Sequence, residues 1–141
     1  MNPLENVLIL TSDDELVIKF SEMFQGSTYH CCRHIFEASE LIEDGLVPAL
    51  IVCDLVLPEL TGPESLDQLQ KSLAPHIVPG IIATSNDRLV LYSLPRPPHL
   101  LGVISKKGDT QQIYERLLKL WDEYQAQLVD GDASKDDTSE V

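Results

Sequence analysis

The chain has no apolar run approaching the roughly 18 residues that a membrane-spanning helix needs. It also lacks a charged segment leading into an apolar stretch near its start, so no signal peptide is expected and the expected location is the cytoplasm. Cysteine is scarce. Cys31, Cys32 and Cys53 make an odd count without CxxC spacing, which excludes a disulfide framework and fits buried, reduced thiols. Of the histidines, His30 and His34 flank a strand end rather than a helix face, and His76 and His99 stand apart, so no zinc ligand set forms. Basic residues are few as well: 10 Lys and Arg face 23 Asp and Glu, a formal charge of −13. Phosphate backbones are gripped by clustered Lys and Arg that displace counterions, so a nucleic-acid surface is excluded. A protein or a small cationic partner suits this charge better.

Among what is present, the stretch from Pro48 to Glu64 organises the rest. Ala49 to Cys53 is an almost unbroken apolar run, followed by Asp54 and a loop with Pro58 and Gly62. A run apolar on both faces suits a strand in a parallel sheet covered by helices on each side. Asp54 then falls at the strand's C-terminal edge, where open α/β sheets place their ligand chemistry. The alternative is that Asp54 simply caps the turn.

The flanking sequence repeats one alternation. Asn6 to Leu10 reads as a strand ending at Thr11 and Ser12. Asp13, Asp14 and Glu15 then put negative charge at a helix start, where the dipole favours it, and Leu16, Phe20, Met23 and Phe24 share one helical face. Gly26 ends that helix. Tyr29 to Arg33 is a second strand and Ala38 to Asp44 a second helix, closed by Gly45. A third helix covers Glu64 to Leu73, with Leu66, Leu69 and Leu73 on one side. Ile77 to Thr84 is a fourth strand, weakened early by Pro79 and Gly80, and Gly102 to Ser105 a fifth, ending at Lys106. Asp109 and Gln112 resemble a capping box before a last helix whose stripe runs through Ile113, Leu117, Leu120, Trp121, Tyr124 and Leu128. Between the fourth and fifth strands, Pro95, Pro97 and Pro98 should leave any helix from Arg88 to Leu94 short or absent. The expected fold class is α/β, a doubly wound five-stranded parallel sheet with helices on both faces, joined by right-handed crossovers. One domain over 1–129 accommodates it, followed by an acidic tail or linker over 130–141, whose composition is that of a disordered segment.

In this arrangement the tips of strands one, three, four and five surround one crevice, bringing together Thr11, Ser12, Asp54, Thr84 and Lys106. A carboxylate there can attack phosphorus, an ammonium can pair with phosphoryl oxygens, and a hydroxyl can donate to another. The bland readings give Thr11 and Ser12 as helix caps, Thr84 as a β-branched strand end and Lys106 as a surface lysine; the cap is favoured for Thr11 and Ser12, and a residual ion pair in the crevice for Lys106 with Asp54.

Asp54 with Pro58 four residues on and Gly62 eight on, a later strand ending in Thr84, and Lys106 twenty-two residues beyond it resemble the receiver domain of bacterial response regulators over about residues 5 to 125. The resemblance implies the flavodoxin-like strand order 2-1-3-4-5, with Asp54 as phosphoacceptor from a histidine kinase and Thr84 and Lys106 contacting the phosphoryl group. It implies a cytoplasmic two-component phosphorelay module rather than an enzyme.

The sequence departs from that pattern in three places. Thr11 and Ser12 stand where the family carries an acidic pair for Mg²⁺, leaving Asp54, Asp13 and the Val56 position as a weak ligand set, so Mg²⁺ binding should be weak or absent. Val103 replaces the usual aromatic switch residue, and Lys107 the proline after Lys106. The proline cluster lies where the family builds part of its signalling face. These departures favour an atypical receiver that signals through protein contacts, with the last helix leaving room for a homodimer. A conventional phospho-accepting switch is the alternative. A small flavodoxin-like enzyme or flavin binder is more remote, because the acids after Ser12 repel phosphate where that class has a phosphate loop.

Overall fold

A computed structural model describes residues 5–57, 60–85 and 99–140, with side chains described through Leu128. Strands β1 (Val7–Leu10), β2 (Tyr29–Cys32), β3 (Leu50–Asp54), β4 (Gly80–Thr84) and β5 (Leu100–Ser105) form one sheet. Every pairing is parallel and the order is β2-β1-β3-β4-β5. Helices α1 (Asp14–Met23), α2 (Ile35–Glu43), α3 (Gly62–Leu73) and α4 (Thr110–Glu140) complete the described elements. The stretch holding Arg88 to Leu94 and the proline cluster lies outside the described residues, as do Pro58 and Glu59.

Two cores explain why the central strands carry apolar residues at every position. Val7, Ile9, Leu50, Val52, Ile81 and Ala83 face α1 and α4, meeting Phe20, Phe24, Ile113 and Leu117. Leu8, Leu10, Ile51, Cys53 and Ile82 face α2 and α3, meeting Ala38, Leu66 and Leu69. Alternation within a strand thus feeds both layers, and no face of β1, β3 or β4 is left for water.

Element boundaries differ from the sequence reading where local chemistry outweighs apolar pattern. Helix α3 begins at Gly62 rather than Glu64, because Thr61 and Glu64 form a reciprocal capping box and proline occupies the first turn. Helix α2 begins at Ile35, three residues earlier than its apolar periodicity suggests. Its cap His34 makes no side-chain cap bond, so the start is set by packing of buried Ile35 and Ala38. Strand β4 loses its expected first residues, since Pro79 has no amide to give a ladder. Strand β5 begins two residues earlier, at Leu100. The expected capping box before α4 forms: the Asp109 N–H donates to Gln112 Oε1 at 3.0 Å and the Gln112 N–H to Asp109 Oδ1 at 2.9 Å. The α4 backbone stays helical to Glu140, across the stretch whose composition is that of a disordered tail, although Leu128 already stands 47% exposed.

Candidate functional site

Parallel register sets the site. Leu10 pairs with Cys53, Asp54 with Ala83, and Thr84 with Ser105, so the residues at or just past the tips of β1, β3, β4 and β5 share one edge. Asp54, Thr84 and Thr11 are buried there, Asp54 being only 2% exposed. Lys106, just beyond β5, donates its backbone N–H to the Thr84 carbonyl at 2.9 Å, which fixes where its side chain starts.

The Lys106 ammonium then reaches inward. Its Nζ lies 3.1 Å from Asp54 Oδ1, 2.9 Å from Asp54 Oδ2 and 3.0 Å from Asp13 Oδ2. The Thr11 hydroxyl donates to Asp54 Oδ2 at 2.8 Å, and the Val56 N–H to Asp54 Oδ1 at 3.3 Å. Each Asp54 oxygen therefore accepts two hydrogen bonds, about as many as its lone pairs allow. A buried carboxylate is stable in this position because it is paired and hydrogen-bonded on every side.

Asp13 has two tasks. Its Oδ1 caps α1 by accepting from the Glu15 and Leu16 N–H groups at 3.0 and 3.4 Å, while Oδ2 faces Lys106. The hydrogen bond from Lys106 holds its carboxyl below the ordinary 3.8, outweighing partial burial. Burial opposes the charge on Lys106, but the bonds and field of Asp54 and Asp13 exceed that and raise its pKa above the ordinary 10.5.

Two backbone features hold the edge in place. A Cβ on Gly62 would lie 2.5 Å from the Asp54 carbonyl oxygen, so only glycine lets the start of α3 approach β3 this closely, with the Gly62 N–H donating to the Leu55 carbonyl at 2.8 Å. Lys19, from α1, donates to the carbonyls of Lys106 at 3.2 Å and Gly108 at 3.0 Å. Gly108 supplies the positive φ of 111° that turns this loop into α4. A cavity of about 240 Å³ opens beside the ion pairs, lined by Asp13, Glu15, Leu16, Lys19, Ser85, Lys106 and Lys107.

The expected neighbours Thr11, Asp54, Thr84 and Lys106 are thus gathered at one edge. Ser12 is exposed rather than buried with them, and its carbonyl accepts from Arg33 Nη1 at 3.4 Å. The cap reading of Thr11 and Ser12 is corrected: Asp13 caps α1, while the Thr11 hydroxyl donates to Asp54 and accepts the Asp13 N–H at 3.1 Å. Asp14 pairs with Arg33 outside the crevice. Helical periodicity gives the face of a residue but not the second oxygen of a cap, which is why the Asp13–Lys106 contact was not legible. Lys19 carries no sequence signal for its role, because its partners are carbonyls. Val103 is half-buried and packs on the α2–α3 side of the sheet.

No protein-family model matches the chain, and no curated protein matches it in sequence. Solved structures do match its fold. The signal receiver domain of an HD domain-containing protein from Pseudomonas fluorescens Pf-5 superposes with a TM-score of 0.68 at 16% identity, covering 87% of this chain and 98% of that one. A CheY-like response regulator receiver domain from Methanospirillum hungatei JF-1 gives 0.68 at 21%, covering 88% and 98%. The receiver domain of the Erythrobacter litoralis PhyR response regulator gives 0.63 at 18%, covering 84% and 90%. The fold is that of a receiver domain.

A receiver fold implies Mg²⁺, a hard cation that takes near-octahedral oxygen ligation from one or two free carboxylates, other oxygens and water. In this receiver-like crevice the carboxylates at the strand tips are Asp54 and Asp13, and both already hold the Lys106 ammonium, while Glu15 on the cavity wall is exposed. Thr11 supplies a neutral hydroxyl whose proton is committed to Asp54. Among the described residues no group of three or more His, Cys, Asp or Glu is placed to hold a metal ion. With the Lys106 ammonium on both carboxylates, the donor set as arranged here does not fit the ion.

Proposed function

We propose that this chain is an atypical receiver module of two-component phosphorelay signalling, with Asp54 at the phosphoacceptor position, weakly or not phosphorylated, and output through protein contacts. The single observation that carries the reading is the saturated Asp54 carboxylate: two donors on each oxygen leave no free lone pair to attack phosphorus. For phosphorylation, one Asp54 oxygen would form a bond to the donor's phosphorus while the donor's leaving group departs with the electrons of the broken bond. Thr11 or Lys106 must first let go. Lys106 and Thr84 would then contact the phosphoryl oxygens, and Asp13 would compete with them for the ammonium.

Partners follow from charge and shape. A histidine kinase or another signalling protein with a cationic docking face suits a chain of charge −13. Val103 cannot report phosphorylation by an aromatic rotamer change, so the surface made by β5 and α4 would act in a fixed shape. Exposed Leu128 on α4 offers apolar area for a second copy, whereas Trp121 packs against the core. The retained Asp54, Thr84 and Lys106 favour the second reading, a conventional phospho-accepting switch. Incubation with acetyl phosphate or a kinase and Mg²⁺, followed by intact mass, separates the two: the atypical reading expects little conversion, and rapid full conversion lost in Asp54→Ala overturns it.

A further inference from the structure

Lys106 is arranged as a resident cation. An ammonium has three N–H donors, and the three close contacts of Nζ are the two Asp54 oxygens and Asp13 Oδ2. Its starting point is fixed by the bond from its N–H to Thr84, and its own carbonyl is held by Lys19. The ammonium therefore lies between the two carboxylates where a bridging divalent ion would lie.

We propose that the Lys106 ammonium takes the place of a metal ion in this crevice, linking the β1–α1 turn to the tips of β3 and β5 and excluding divalent cations. One positive charge against two carboxylates leaves a local charge of −1, but a divalent ion entering there would sit against the ammonium. Binding requires Lys106 to leave both carboxylates and so to give up all three of its close acceptors. Without this ammonium, Asp54 and Asp13 become two facing carboxylates with no counter-ion, an arrangement that attracts a hard divalent cation. The exclusion is thus a property of one side chain. It rests on the receiver reading only in taking Asp54 as the centre of the site, and metal binding is measured apart from phosphorylation, so either can fail alone.

The test uses the full chain and Mg²⁺ alone, followed by thermal unfolding and by Mn²⁺ relaxation enhancement of solvent water. The wild-type midpoint should stay constant to within about 1 °C up to about 10 mM Mg²⁺, whereas Lys106→Met should gain about 3 °C or more and lose that gain when Asp13→Asn is added. Mn²⁺ enhancement should appear in Lys106→Met and be absent in wild type. A saturable midpoint rise in the wild-type chain overturns the proposal without reference to any variant. So does a Lys106→Met chain that ignores both ions, whether it is folded alone or stays unfolded at every Mg²⁺ concentration; if it folds only on adding Mg²⁺, the proposal stands.

Discussion

Asp54 accepts four hydrogen bonds from three groups, and they are unequal. Lys106 brings charge, whereas Thr11 and Val56 bring neutral hydrogen bonds. Thr11→Val keeps the shape of a β-branched residue but leaves Asp54 Oδ2 one donor short in a buried position. The expected loss is about 1–3 kcal/mol of unfolding free energy with the slope unchanged, measured by urea denaturation. A neutral result would mean that water replaces the hydroxyl. At this scale the sequence exposed the anchor residues well, because an acid, a hydroxyl and a lysine ending separate apolar runs stand out. It placed Asp13 beside Asp54 only as a weak metal ligand, and gave no sign that the same carboxylate caps α1 and meets the Lys106 ammonium.

At the scale of elements, α3 and its junction with β3 decide how Asp54 is presented. The capping box of Thr61 and Glu64 stabilises the first turn, and Thr61→Ala should cost about 1 kcal/mol. Gly62→Ala should cost more, about 1–3 kcal/mol, because the added methyl meets the Asp54 carbonyl, a backbone atom that cannot rotate away. Urea midpoints of the two variants rank them; equal losses would contradict the close approach. Apolar patterning disclosed all nine described elements, most clearly the central strands and the helices, while β2 fully buries only Cys32 and β5 only Ile104. It misplaced the starts of α2, α3, β4 and β5. Those ends depend on caps, on the missing Pro79 amide and on packing from distant strands, none of which has a period.

For the molecule as a whole, titration bounds the stable range. Asp13 binds its proton less tightly when folded, so its contribution is full above 3.8 and lost as pH falls through its depressed value. Lys106 binds its proton more tightly when folded, so its contribution is complete below 10.5 and lost as pH rises through its elevated value. Burial pushes the Cys32 thiol to about 11 and Cys53 further up, and both act in the alkaline sense from their ordinary 9.0 upward. Urea midpoints should therefore be level from about pH 5 to 8 and fall above about 9; a rise between those alkaline values would contradict the buried thiols and the paired lysine. The strand order was legible only through the receiver resemblance, because alternation of elements fixes parallel pairing but not which strand lies beside which. A double-mutant cycle over Asp54→Asn and Lys106→Met, read by urea unfolding at neutral pH, measures the link between the tips of β3 and β5 directly. A coupling of about 1–3 kcal/mol is expected for a charge pair joined this closely, and losses that add to within about 0.5 kcal/mol would contradict it.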